Sequence, residues 1–192
     1  MGKIVVTEFV SVDGVIEDPG GAEDYEHGGW SLQIDRGEDG AQFKLDEALA
    51  SDAMLLGRVT YQGFADAWPS REGDFADKFN SMPKFVVSTT LDEPEPEWNN
   101  STVISGDVAA EVTELKERFA NDVVVHGSAR LVNTLKDLDL VDEYRLMVFP
   151  VVLGKGKRLF ADSGDLIPLK LAEAKPVGPV GVVVLTYQRA PG

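Results

Sequence analysis

From Lys3 to Val12 the chain is dense in β-branched and aromatic residues, and the run breaks at Asp13-Gly14. This pattern predicts a buried strand ending in a turn. Residues 17 to 40 are rich in glycine and acids with little periodicity, and predict a long irregular segment. Ala41, Leu45, Ala48 and Leu49 then recur at helical spacing, and Ala53-Met54-Leu55-Leu56 predicts a short strand. Gly57 hinges into a second helix marked by Tyr61, Phe64, Ala65 and Trp68 and closed by Pro69.

The alternation continues. Lys84 to Thr89 predicts a strand, Leu91 to Asn100 a solvated loop, and Thr102 to Ser105 a return to the sheet. Asp107 fits the N-cap of a helix whose inner face is Val108, Val112, Leu115 and Phe119. Asp122 to His126 predicts another strand, Gly127-Ser128 a second hinge, and Leu131, Leu135 and Leu138 the inner stripe of a helix beginning near Ala129. Glu143 to Phe149, Pro150 to Gly156 and Gly181 to Arg189 predict late strands with hairpin-like connections. The order implies an α/β fold with a mixed central sheet, mostly parallel, antiparallel in its C-terminal strands, and helices on both faces. With no repeat and no linker, residues 1–192 read as a single domain.

Composition narrows the class. No cysteine is present, which removes disulfides, thiolate nucleophiles and Cys-ligated metals, and suits a reducing, cytoplasmic compartment. No secretory leader or membrane-length apolar run is visible. A net charge of −15 opposes nucleic acid and anionic membrane as main partners and leaves a small-molecule substrate. His27 and His126 lack any metal-ligand spacing, so no metal is expected.

The two strand–glycine–helix junctions carry the chemistry. The first turn of each helix exposes unpaired N–H groups and a positive dipole end just beyond a strand's carboxyl terminus, where phosphates settle in open α/β sheets. Arg58 and Thr60 stand at one junction, Ser128 as a helix cap and Arg130 at the other. Either alone reads as well as a tight turn with a solvated arginine; two suit one dinucleotide. Neither G-x-G-x-x-G nor G-x-x-x-x-G-K-[ST] is present.

Phe9 to Gly14, Leu55 to Tyr61, Val125 to Leu131 and Pro150 to Gly156 together resemble the dihydrofolate-reductase-like superfamily in its order, and most resemble small proteins similar to the C-terminal reductase domain of the bifunctional riboflavin deaminase-reductase. The resemblance implies a dihydrofolate-reductase-like fold with NADPH as cofactor. Gly57, Arg58 and Thr60 would meet the adenosine-side phosphates, Ser88 and Thr89 the 2′-phosphate ribose, and Gly127, Ser128, Ala129, Arg130 and Leu131 the pyrophosphate. It implies reduction of a small heterocycle such as 5-amino-6-(5-phosphoribosylamino)uracil of riboflavin biosynthesis. The chain departs from the pattern at His126-Gly127-Ser128, where glycines are usual. It also shows no aligned pterin-binding carboxylate on the helix before Gly57, since Ala41, Phe43 and Leu45 take the expected inner side and Asp39 and Asp46 fit poorly. Dihydrofolate reduction and a non-catalytic NADPH-binding role are the alternatives.

Around that core reading, Asp13 suits either a catalytic proton-steering role or a turn acceptor before Gly14. Trp30 is expected over the substrate pocket, with loop anchoring as the alternative. Lys155, in the basic Lys155-Lys157-Arg158 cluster, suits a substrate phosphate or a solvated tip. Leu146, Val148, Phe149, Val151 and Val152 form an apolar stretch that predicts a sheet extension or a homodimer contact, with ordinary core as the alternative.

Overall fold

The computed structural model describes residues 1–95, 97–160 and 166–190. Its strands are β1 (Ile4–Ser11), β2 (Ser51–Gly57), β3 (Lys84–Val87), β4 (Ser101–Ile104), β5 (Asp122–Val125), β6 (Glu143–Phe149), β7 (Leu169–Val177) and β8 (Val182–Arg189). The helices are α1 (Gly37–Ala50), α2 (Arg58–Ala67), α3 (Asp74–Ser81), α4 (Val108–Arg118) and α5 (Ala129–Asp137). All eight strands join one sheet in the order β4-β3-β2-β5-β1-β6-β8-β7. Strands β1 to β6 run parallel, and β8 returns antiparallel between β6 and β7.

Period-2 alternation sends the side chains of the inner strands to two separate cores. On one face Ile4, Val6, Leu55, Val123 and Val125 meet Val112 and Leu115 of α4 and Leu131, Val132 and Leu135 of α5. On the other, Val5, Met54, Leu56, Val86 and Val124 meet Ala48 of α1, Tyr61 and Ala65 of α2 and Phe79 of α3. A third cluster of Trp30, Met147, Phe149, Val177, Val182 and Val184 fills the end under the irregular segment. Burial on both faces is why Ala53 to Leu56 reads as an unbroken apolar run. Each such side chain contributes roughly 1.5–3 kcal/mol, enough to offset the 1–2 kcal/mol spent ordering its backbone.

Several expectations need correction. The helix before β2 begins at Gly37 and buries Gly40, Lys44, Glu47 and Ala48, while Ala41 and Leu49 face solvent. Lys44 and Glu47 bind each other, so their charges tolerate the interior, which a hydrophobic pattern does not register. Leu138 is 43% exposed because α5 ends at Asp137, and Val132 takes its inner place. Pro150 to Gly156 forms no strand; Val151 turns back on Phe149, and the Val12 amide donates to its carbonyl at 2.9 Å. Most of the apolar stretch expected at a dimer contact is interior, since β6 lies between β1 and β8 and buries Leu146 and Phe149, with Val148 and Val151 packed against the cores; Val152 alone of the five is exposed. Elements not anticipated include a 3-10 turn over Trp30–Gln33, α3, and edge strand β7, nearly all of whose side chains are exposed. Among the described residues, no helix is long and apolar enough to cross a membrane.

Candidate functional site

Strands β2 and β5 are parallel neighbours, so their carboxyl ends stop side by side, and Gly57 at the end of β2 meets Gly127 two residues past β5. The Gly57 amide donates to the Gly127 carbonyl at 3.3 Å. A β-carbon on Gly57 would lie 2.5 Å from Ser128 Oγ and 3.2 Å from Ser128 Cβ. Gly127 holds a left-handed φ of 72°, and a β-carbon there would meet Thr60 Oγ1 at 3.0 Å. The peptide between Gly127 and Ser128 is cis. The two hinges recognised in the sequence are therefore one structure, in which small residues let two backbones approach.

Gly57→Ala overpacks that contact and is expected to cost about 1–3 kcal/mol. Urea unfolding should show Ser128→Gly in the same chain recovering more than half of the loss, because Ser128 supplies the nearest atoms. An undiminished loss in the double variant would show that the Ser128 side chain is not the obstacle.

From this meeting point α2 leaves over one face of the sheet and α5 over the other. Neither has a side-chain cap, whereas α4 is capped by Asp107, whose carboxylate accepts from the amides of Ala109 and Ala110. Ser128 occupies the N-cap position of α5 without capping it, contrary to expectation, because its hydroxyl turns toward Gly57. Two helix N-termini thus present first-turn amides without a side-chain acceptor, each beside an exposed arginine, Arg58 or Arg130. Thr60 and Ala129 are partly buried. Leu131 belongs to the core, so only its backbone faces this cradle.

The adjoining strand β3 ends at Val87, with Ser88 and Thr89 just beyond it. Ser88 is buried, and its Oγ accepts from the amides of Thr90 (3.2 Å) and Leu91 (3.1 Å), while Thr89 is exposed. The sequence-predicted cofactor residues therefore line the carboxyl edge of β3, β2 and β5, in that order across the sheet.

The remaining candidates lie apart. Asp13, past the end of β1, accepts from the Ser11 hydroxyl at 2.7 Å and from the amides of Leu153 (3.1 Å) and Gly154 (2.8 Å). These bonds, led by Ser11, hold its carboxyl down to about 2, so at neutral pH it is an ionised turn acceptor. The Arg158 guanidinium bonds its carbonyl. Lys155 is exposed on the same turn, where its carbonyl accepts from Tyr25 Oη at 2.8 Å, and Lys157 is engaged by Glu17 and Glu23. Trp30 is 3% exposed, donates its indole N–H to the Glu17 carbonyl at 2.8 Å and meets Phe149 edge-on. It anchors the irregular segment to the core, correcting its expected place over a substrate pocket.

Beside the cradle the structure reveals a buried polar group that the sequence pattern hides. Register places Glu8 of β1 next to Gly127, and Glu8 Oε1 would lie 3.6 Å from a β-carbon there. Behind it Lys44 Nζ contacts Glu47 and bonds Thr7 Oγ1 at 2.6 Å, Thr7 donates to Glu47 at 2.9 Å, and Arg145 lies 3.6 Å from Glu47. His126 packs between Phe64 and Phe79. Burial pushes Glu8 up to about 8, with the nearby Gly127 backbone and the Lys44 charge only partly opposing it. Burial and the Lys44 charge push His126 down to about 3. Burial disfavours the Glu47 charge too, yet its contact with Lys44 holds that carboxyl below the ordinary value. The available signal was Glu8, a lone acid in an apolar strand, and the i,i+3 pair on α1.

The RibD C-terminal domain family matches residues 2–183 of this chain. Two Bacillus subtilis (strain 168) relatives, the uncharacterized proteins YyaP and YwjB, are 31% identical over 190 residues and 29% identical over 189. YyaP matches 96% of this chain and 94% of its own length, and YwjB 98% of each. Among solved structures, a putative riboflavin biosynthesis protein from Shewanella sp. PV-4 superposes with a TM-score of 0.75 at 21% identity, covering 98% of this chain and 99% of that one. The Enterococcus faecalis dihydrofolate reductase, complexed with NADP(H) and RAB-propyl, gives 0.62 at 13% identity over 98% and 97%. These likenesses establish the dihydrofolate-reductase-like fold.

Proposed function

Because the chain belongs to the RibD C-terminal domain family, we propose that it acts as one cytoplasmic domain and is an NADPH-dependent reductase of a small heterocyclic substrate. The observation that carries this reading is the pair of uncapped helix N-termini, converging from opposite faces on a glycine contact and each flanked by an exposed arginine. The first-turn amides of α2 and α5, which no side chain caps, are left for phosphate oxygens, and the dipoles of both helices favour the charge. These features fit a dinucleotide diphosphate. Gly57, Arg58, Thr60 and the backbone from Gly127 to Leu131 would hold it, with Ser88 and Thr89 toward a 2′-phosphate. When bound, NADPH supplies a hydride. The protein's own work is to orient the acceptor, exclude water and provide one proton.

The substrate class proposed is a riboflavin-pathway pyrimidine such as 5-amino-6-(5-phosphoribosylamino)uracil. A dihydrofolate-type reading gains one observation, since α1 does carry an inward carboxylate, Glu47. That carboxylate is already held by Lys44 and Thr7, which favours the first reading.

Titration with NADPH and NADH, followed by energy transfer from Trp30, Trp68 and Trp98, tests the cofactor. NADPH should bind more tightly than NADH, and Arg58→Ala and Arg130→Ala should each weaken NADPH roughly tenfold, the worth of one charge-assisted contact at about 1.4 kcal/mol. Absence of binding by either nucleotide would overturn the reductase reading.

A further inference from the structure

We propose that Glu8 is the proton donor of this reduction, delivering its carboxyl proton to the acceptor nitrogen or oxygen. The proposal rests on the reductase reading above and adds the residue that completes its chemistry.

The geometry comes first. Pairing of Val6 with Val125 puts Glu8 beside Gly127, at the contact between the two junctions. Ile4, Val6 and Val10, its neighbours on the same strand face, are all buried apolar residues. Glu8 Oε1 is buried and has no hydrogen-bond partner among the described residues. A bare carboxylate in such a place is costly, and a protonated acid with a free oxygen is the cheaper state.

The charged groups near it leave Glu8 without a counterion of its own. From α1, Lys44 is already bound to Glu47 and Thr7, so it serves Glu8 poorly as a counterion. Glu47 is itself ionised and repels a second charge. From β6, Arg145 is shared among Glu47, Asp122 and Glu143. At the end of β5, His126 is driven down to about 3 and carries no charge to offer Glu8 at neutral pH. From α2, Thr60 contributes a neutral hydroxyl next to Gly127. Asp13, the acid suggested by sequence, stays ionised down to about pH 2. Glu8 is the acid in this group that keeps its proton through neutrality.

In the step, the carbon of the acceptor C=N or C=O bond takes the hydride from the reduced nicotinamide. The π pair moves onto the heteroatom, which takes the proton as the Glu8 O–H bond breaks and leaves its pair on the carboxylate. Reduced acceptor and oxidised nicotinamide depart, and water returns a proton to Glu8.

Glu8→Gln and Glu8→Asp test this, with 5-amino-6-(5-phosphoribosylamino)uracil as acceptor and NADPH as reductant. E8Q should bind NADPH within about threefold of wild type yet lose on the order of 100-fold or more in kcat, the usual contribution of a general acid. Wild-type kcat should fall as pH rises through about 8, a limb that E8Q lacks, and E8D should be intermediate. Infrared spectra of the protein without nucleotide should show a protonated carboxyl band at neutral pH that E8Q removes. Turnover of E8Q within about threefold of wild type, or an infrared band unchanged by the substitution, would overturn the proposal. Failure of the reductase reading looks different: wild type itself then binds no NADPH, and the donor role falls with it.

Discussion

Acidification from pH 6.5 toward pH 3 is expected to destabilise this protein by on the order of 4 kcal/mol through His126 alone. In the unfolded chain the imidazole takes a proton near 6.5, whereas in the fold burial between Phe64 and Phe79 and the nearby Lys44 charge delay it to about 3. The depressed value fixes the sign. Stability from keeping His126 neutral is fully present above 6.5 and is lost as pH falls through the folded value. Urea midpoints measured across that window should fall steadily for wild type and much less for His126→Leu, which removes the titration while keeping an apolar side chain in place. Equal slopes would mean that His126 is protonated at its ordinary value inside the fold. Glu8 acts in the opposite direction: its raised value leaves its contribution intact below about 4.5 and erodes it as pH rises through about 8. The two groups, on either side of the sheet at the end of β5, thus act at opposite ends of the pH range.

The second large effect is expected at Lys44. Lys44→Met leaves Glu47 charged inside the protein with the Thr7 hydroxyl and a more distant Arg145 as its remaining partners. Removing one member of a buried pair costs roughly 3–5 kcal/mol, and the residual partners place this case near 3 kcal/mol. The double variant Lys44→Met/Glu47→Leu should recover most of that, because two apolar side chains need no counterions. Chemical denaturation at neutral pH separates the outcomes; a loss below about 1 kcal/mol for the single variant would show that Glu47 is not charged there. Loss of the ammonium should also raise the Glu8 and His126 values, since Lys44 lowers both.

What could be read from sequence follows from how each residue was stabilised. Strands β1, β2 and β5 were legible because burial on two faces demands β-branched runs, and the helices after Gly57 and Gly127 because Tyr61, Ala65, Leu131 and Leu135 repeat at helical spacing. Asp107 announced its helix by its capping chemistry. Strand β7 was illegible since both its faces meet solvent and it carries Pro176, which only an edge strand tolerates. The inner side of α1 was misread for the opposite reason: Lys44 and Glu47 look like a solvated pair and are interior because they satisfy each other. Trp30 and Asp13 drew functional readings as loop residues, and both turned out to fasten a loop. Glu8 drew none, because a single acid in a strand is invisible to periodicity and its meaning comes from Gly127, over a hundred positions away.

The strand order also dictates a history for the chain. Strand β1 lies between β5 and β6, so Ile4 waits for Val123 and Val5 for Glu143. On a ribosome β1 emerges well before the strands that flank it, and loop closure on that scale is slow. A nascent chain that has not yet reached Asp122 holds β1 with no parallel partner from this sheet, and Glu8 then sits in water as an ordinary carboxylate. The cradle and its unusual acid come into being together, in the closing event that seats β1.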